Sequence, residues 1–299
     1  MSFKSGFIAM IGRTNVGKST LVNSLVGEKI SIISGKPQTT RNKIMGIMNG
    51  DGYQAVFLDT PGVHKPKHKL GEYMVGAAFS AIEDADAVVY VVEPDGKIGP
   101  GDNLISQRLQ GITNPLFVCI NKIDIVTGER VKQTQDLYEK RLPGCKVIPV
   151  CALNGKNTKA LKKQVIGNLP EGPEYFPEDM ITDMPEQFLV SELIREKALF
   201  FLKEEVPHGL AVEIEEFSEN EKKEIIHIRA VIYCEKESHK AIIIGKQGRM
   251  LKKIGEKVRP DIERLLGSHV FLELWVKVRQ GWRDSDPILK NLGFSRFTK

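Results

Sequence analysis

Cysteine is scarce in this 299-residue chain: there are four, Cys119, Cys145, Cys151 and Cys234, none in C-x-x-C spacing. Neither a disulfide framework nor a thiolate metal site is therefore expected, and Cys119 and Cys151 fall near the ends of apolar runs, where a thiol serves as a small hydrophobe. Long apolar runs are missing too. No stretch approaches the roughly 20 residues that a membrane helix needs. The first six residues lack the charged, apolar and small-residue layout of a secretion signal, so a cytoplasmic location is expected. His64 and His68 share a loop, but Pro66 breaks the helix that would align them as metal ligands, which leaves a solvated, mobile loop.

Charge of one sign does not dominate, since the net is only +5, yet its distribution is uneven. Residues 236–299 hold 15 basic and 7 acidic side chains, whereas the preceding 235 residues hold 28 and 31. The basic end is the expected contact for a polyanion. The length allows about two domains at roughly 100–200 residues each. Four prolines, Pro170, Pro173, Pro177 and Pro185, cannot sustain a helix and predict a semi-extended linker. This gives a first domain at 1–169, a linker at 170–186, a second domain at 187–285 and a tail at 286–299.

The first domain contains five spaced stretches that together describe one pocket. Gly12-Arg13-Thr14-Asn15-Val16-Gly17-Lys18-Ser19 matches G-x-x-x-x-G-K-[ST]; it follows an apolar strand at 7–11 and precedes a helix at 20–26. Its glycines let successive N–H groups approach phosphate oxygens, and the helix directs its positive end at the same charge. Lys18 supplies an ammonium for the β- and γ-phosphates, and Ser19 a hydroxyl for Mg²⁺; Thr20 completes the loop. Asp59-Thr60-Pro61-Gly62 ends an apolar strand, so that Asp59 can hold the metal through water and Gly62 can offer its N–H to the γ-phosphate. Thr40, preferred over Thr39, is the candidate third metal ligand from the loop 34–43, engaged while the γ-phosphate is present.

Asn121-Lys122-Ile123-Asp124 closes another strand and selects the base. The Asp124 carboxylate can accept from N1–H and the exocyclic amine of guanine, a pair of donors that adenine lacks. Rejection of a ligand lacking such a bond runs to roughly 10⁴-fold. Cys151-Ala152-Leu153 ends a further strand, where the Ala152 N–H is expected to meet the guanine carbonyl. The ligand read from these stretches is GTP with magnesium. Strands near residues 7, 55, 87, 116 and 146 alternate with helices, the pattern of an α/β fold whose mostly parallel sheet binds ligands at its carboxyl ends.

After the linker come a helix over 187–205, a hairpin with its turn at 218–221, two helices separated by Gly245-Lys246-Gln247-Gly248, and a strand over 270–278. Pro260 is expected to kink the second of those helices. The order helix, strand, strand, helix, helix, strand resembles the bacterial, type II KH fold. Its glycines would allow close approach of a sugar-phosphate backbone, with Ile244, Gly245, Lys246, Gln247, Gly248, Arg249 and Lys252 as RNA-binding candidates. Of the two tryptophans, Trp275 is expected to be packed and Trp282 to be the better RNA contact. The tail is expected to begin as a helix and to cover part of the RNA surface.

Together these residues resemble the translation-factor-like P-loop GTPases, and most closely, through Lys36-Pro37-Gln38-Thr39-Thr40-Arg41 and Ile244-Gly245-Lys246-Gln247-Gly248, the ribosome-assembly GTPases that end in a KH domain. The resemblance covers essentially the whole chain. It implies a monomeric GTP hydrolase acting on the small ribosomal subunit near the 3′ end of its RNA, with peripheral contact at the inner face of the cell membrane as an additional expectation. Two departures stand out. Val63 occupies the place where Ras-type GTPases carry a water-orienting glutamine, so slow intrinsic turnover is expected. Cys151 replaces the usual serine, with little expected effect. Lys18, Asn15, Thr40 and Gly62 are the catalytic candidates, Asn15 as the site of a potassium ion that would take the place of an arginine finger. The competing reading is a non-catalytic RNA-binding scaffold for which GTP is a structural ligand.

Overall fold

The computed structural model describes residues 2–36, 38–220 and 225–294. Glu221 of the expected hairpin turn, Pro37 of the quoted loop and the tail residues 295–299 lie outside the described residues. Contacts divide the chain into two compact units, one running to Asp183 and one from Met184 onward, with residues 34–36 and His68–Leu70 grouped with the second.

The first unit runs β1 (Lys4–Ile11), α1 (Lys18–Val26), β2 (Ile44–Gly50), β3 (Tyr53–Asp59), α2 (Lys69–Glu83), β4 (Ala87–Val92), α3 (Pro100–Leu109), β5 (Leu116–Ile120), α4 (Gly128–Arg141), β6 (Lys146–Pro149) and α5 (Thr158–Gly167). Its sheet has the order β2-β3-β1-β4-β5-β6, parallel except for the β2–β3 pair. Both faces are covered by helices, so the central strand β4, Ala-Val-Val-Tyr-Val-Val, is buried at every position, as a parallel strand between two helical layers must be. Alternate residues feed two cores. Ile8, Met10, Phe57, Val89 and Phe117 pack against α1 and α5. Ala9, Ile11, Val56, Val88, Tyr90 and Val118 pack against α2, α3 and α4.

Two features depart from the sequence reading. Strand β2 is an additional strand; it pairs antiparallel with β3 through the two-residue connection Asp51-Gly52, with Gly52 at φ 75°. Asp-Gly between apolar runs is a strong hairpin signal that could have found it. The expected linker is also corrected. Residues up to Asp183 belong to the first unit and form a strap along it. The buried Gln54 accepts from the N–H groups of Tyr175 (2.8 Å) and Phe176 (3.0 Å) and donates to the Phe176 carbonyl (2.8 Å). Ile47 of β2 donates to the Ile181 carbonyl at 2.9 Å, and Thr182 Oγ1 donates to the Met45 carbonyl at 2.7 Å. The prolines exclude a helix as expected, but the free carbonyls and N–H groups between them satisfy the sheet edge, which would otherwise invite pairing with another chain.

The second unit comprises α6 (Glu186–Phe201), β7 (Ala211–Asn220), β8 (Ile225–Cys234), α7 (Glu237–Ile244), α8 (Arg249–Leu266), β9 (His269–Val278) and α9 (Asp286–Asn291). Strand β8 pairs antiparallel with β7 and parallel with β9. Ile226, Ile228, Ala230 and Ile232 of β8 form its core with Ile194 and Ala198 of α6 and Ile254, Val258 and Ile262 of α8. Helix α8 continues through Pro260 without a break. The start of the tail is helical, and Asn291 and Leu292 line a cleft with Gln187 and Phe188 of α6 and with β7, not with α8 and β9.

Candidate nucleotide site and nucleic-acid groove

Strands β1, β3, β5 and β6 deliver four of the stretches at their carboxyl ends, on one side of the sheet, and the loop ahead of β2 brings Thr40 to the first of them, beside Ser19. Between β1 and α1 the loop from Gly12 to Lys18 turns through Asn15 (φ 64°) and Gly17 (φ 95°). Lys18 is buried, and its Nζ donates to the carbonyls of Arg13 (2.9 Å) and Gly12 (3.3 Å). Burial lowers its pKa to about 8, an effect partly offset by the nearby Asp59 carboxylate.

Asp59, at the end of β3, is fully buried, and neither carboxylate oxygen has a hydrogen-bond partner of ordinary geometry among the described residues. Burial pushes its pKa up, against the opposing influence of Lys18 and of the Ser19, Ser31 and Thr40 hydroxyls. Ser19 Oγ and Thr40 Oγ1 lie 2.8 Å apart. A buried carboxylate with unpartnered oxygens beside two converging hydroxyls is the all-oxygen donor set that suits Mg²⁺. Ser31 has no motif around it and is not legible from sequence. It is fixed by Asn23 of α1, whose Oδ1 accepts from Ser31 N (3.0 Å) and whose Nδ2 donates to Ser31 O (2.8 Å).

Asn121 joins three of the stretches. Its Nδ2 donates to the Val16 carbonyl (2.8 Å) and its Oδ1 accepts from Ala152 N (2.9 Å). The Ala152 N–H, expected to face the base, is thus engaged by Asn121, because a buried donor requires a partner. Asp124 is exposed, its carboxyl held below the usual range by the Cys151 thiol beside it and by Lys122. Leu153 is 82% exposed at the same rim.

Three expected contact residues turn their side chains elsewhere. Thr60 Oγ1 donates to the Met10 carbonyl at 2.6 Å inside the fold. Arg13 points away from the loop into carboxylates, with ion pairs to Asp95 (2.8 Å), Asp102 (3.1 Å) and Glu93 (3.5 Å). Val16 is a core residue. Gly62 abuts the phosphate loop so tightly that an added Cβ would lie 2.6 Å from Thr14 Cα. Next to it Val63 is buried and its N–H donates to the Gly12 carbonyl (3.0 Å). His64, expected in a solvated loop, is instead tied down: Nδ1 lies 2.9 Å from the Gly62 carbonyl and Nε2 lies 2.9 Å from Gln38 Nε2.

In the second unit, Gly245 (φ 71°), Gln247 (φ 55°) and Gly248 (φ 75°) make a left-handed turn between α7 and α8. Beside it runs a groove of about 410 Å³, lined by Gly248 of the turn, by Lys252 and Arg259 on α8 and by Val270, Leu272 and Leu274 on β9. Gly248 and Lys252 line this groove, whereas Ile244, Gly245, Lys246, Gln247 and Arg249 form the turn at its end. The tryptophan assignments are reversed. Trp282 is fully buried, with Nε1 donating to the Gly209 carbonyl (3.0 Å) and its ring stacked on Phe294. Trp275 is 55% exposed, because β9 alternates and Val270 and Val276 take the inward parity.

The family described as 50S ribosome-binding GTPase matches residues 7–122, and the KH domain family matches residues 205–283. The GTPase Era of Alkaliphilus metalliredigens (strain QYMF) is 54% identical over 294 residues, covering 98% of this chain and all of that one. That of Caldanaerobacter subterraneus subsp. tengcongensis is 52% identical, covering 99% of each. Among solved structures, Era in complex with MgGDPNP and nucleotides 1506–1542 of 16S ribosomal RNA matches with a TM-score of 0.95 at 40% identity, covering 98% of this chain and 99% of that one. A point variant of Aquifex aeolicus Era bound to GDP·AlF4⁻ matches with a TM-score of 0.94 at 40% identity, covering 98% and 100%.

Proposed function

The chain belongs to the Era family of GTPases, and from that premise we propose that its first unit binds and hydrolyses GTP with Mg²⁺ while its second binds the 3′ region of small-subunit ribosomal RNA, coupling nucleotide state to assembly of that subunit in the cytoplasm. The observation that carries the reading is the convergence, at the carboxyl ends of the strands, of a buried lysine, a buried carboxylate without an ordinary hydrogen-bond partner among the described residues, and Asn121 linking the phosphate loop to the base-recognition turn.

In this reading the loop N–H groups and Lys18 hold the phosphates, and Ser19, Thr40 and Asp59 hold the magnesium, which neutralises charge on the phosphates when bound. The Asp124 carboxylate selects guanine. The buried Val63 cannot orient water, so positioning falls to the backbone around Gly62, and Asn15, the exposed residue of the loop, is the candidate seat of a potassium ion. The turn from Gly245 to Gly248 and the groove beside it take unstacked bases and their phosphates. No helix among the described residues is long and apolar enough to cross a membrane.

The test is to measure GTP turnover and RNA binding on the same preparation. Acidic replacements at Lys246 and Gln247 should abolish binding of an RNA matching the 3′ end of small-subunit RNA while leaving GTP affinity unchanged; loss of both together would contradict separate sites. Turnover that stays at background in potassium, with that RNA present, would favour the scaffold reading.

A further inference from the structure

Outside the five stretches, one side chain ties two of them together. Glu93 follows β4 directly, one residue beyond Val92, whose carbonyl accepts from Asn121 N (2.8 Å). Its carboxylate therefore emerges between the phosphate loop and the base-recognition turn. Glu93 Oε1 lies 2.5 Å from Lys122 Nζ, and the same ammonium donates to the Asn15 carbonyl at 2.7 Å. The other oxygen, Oε2, is 3.5 Å from Arg13 Nη2.

The backbone at both ends of this link is unusual. Asn15 (φ 64°) and Lys122 (φ 61°) are non-glycine residues in the left-handed region, a conformation that persists only where surrounding contacts over-determine it. For Lys122 those contacts are its own side-chain bonds to Asn15 O and Glu93. For Asn15 the carbonyl that Lys122 grips belongs to the strained residue itself. A lysine spans many rotamers, and its ammonium would leave a neutral carbonyl readily for water. The carboxylate of Glu93 is the counter-charge that keeps it there.

The geometry points to Glu93 as a positioning residue for the nucleotide site: by pinning the Lys122 ammonium on the Asn15 carbonyl, it fixes the phosphate-loop turn and the turn that carries Asp124 in one mutual arrangement. This rests on the guanine-nucleotide reading above. Glu93 is not expected to touch the nucleotide, so its effect is exerted through Lys122, and it falls on GDP and GTP alike, mainly as faster release.

The experiment measures dissociation of a fluorescent GDP from the full chain by stopped flow, for the native protein, Glu93→Ala, Glu93→Gln, Lys122→Met and the Glu93→Ala/Lys122→Met double variant. Hydrogen bonds to charged groups, discounted for partial exposure, lead us to expect Glu93→Ala to speed release about tenfold. Glu93→Gln keeps the shape and one acceptor oxygen and should show a smaller increase; it also carries the test if the alanine variant does not fold. In the Lys122→Met background Glu93→Ala should add nothing, which a purely structural role would not produce. Release from Glu93→Ala and Glu93→Gln within twofold of native, or a full multiplicative effect on top of Lys122→Met, overturns the assignment. A native chain that does not hold GDP at all would instead overturn the underlying nucleotide reading.

Discussion

Lys18 provides a proton-linked test of the phosphate site. Burial takes its pKa from 10.5 to about 8 in the free protein. A phosphate placed against the ammonium restores the ordinary preference for the charged form, so binding must draw a proton from solution wherever the free protein has lost one. With the free value at about 8, uptake should be about 0.1 proton at pH 7, about 0.5 at pH 8 and about 0.9 at pH 9. Affinity for GDP should fall about twofold at pH 8 and about tenfold at pH 9 relative to the acid side, the tenfold loss corresponding to about 1.4 kcal/mol.

The stability of the free protein runs the other way. Because the folded pKa is depressed, the unfolded chain binds more protons between about pH 8 and 10.5, and the contribution of Lys18 to stability rises with pH across that window. Asp59 gives a signal of opposite sign. Its raised pKa means that metal binding releases a proton, and does so on the acid side. Calorimetric titration of GDP at saturating Mg²⁺, in buffers of different ionisation enthalpy, separates these contributions. A proton uptake that stays flat between pH 7 and 9, with constant affinity, would refute the buried-lysine argument.

Other expectations concern single side chains. Asp124→Asn removes the proposed acceptor pair for guanine, so GDP affinity should drop by about two orders of magnitude or more while xanthosine diphosphate gains, as read by competition binding. Trp282→Ala should cost about 3–5 kcal/mol of stability in urea unfolding, whereas Trp275→Ala should cost less than about 0.5 kcal/mol. Gly62→Ala would force a Cβ to within 2.7 Å of Thr14 N. That backbone can yield only by moving the phosphate loop, and about tenfold weaker nucleotide binding is expected by calorimetry.

What the sequence revealed and what it concealed divide along the range of the interactions involved. The strand, glycine loop and helix around Lys18 are specified by local chemistry: the apolar second half of β1, Gly17 where φ is positive, and Lys18 and Ser19 opening the helix directly after it. The turn at Gly245–Gly248 is local in the same sense. The strap was hidden because its partners, Gln54, Ile47 and Met45, lie more than 120 residues away, and a proline-rich segment looks the same in solution as laid along a sheet edge. Trp275 could have been placed by parity alone. Val270 and Val276 share the inward face of β9, so Trp275, one residue out of step, had to point away. Glu93 could not have been found, since a single glutamate after a strand matches no pattern until Lys122 is seen beside it.

The same contrast bears on why the pocket exists. Lys18 and Asp59 are both buried, and each pushes the other's pKa back toward the charged form while burial pushes both away. Taking two such charges out of water costs several kcal/mol per ion, and their mutual attraction seldom returns all of it. Apolar residues of similar volume would serve the fold at least as well. Those two charges are therefore poorly accounted for by stability, and are well accounted for by a ligand that brings negative phosphates to the lysine and a divalent cation to the carboxylate. Arg13 illustrates the converse. Its three carboxylate partners already balance its charge, so its side chain has a structural explanation, and only the backbone of that loop position is left to meet phosphate.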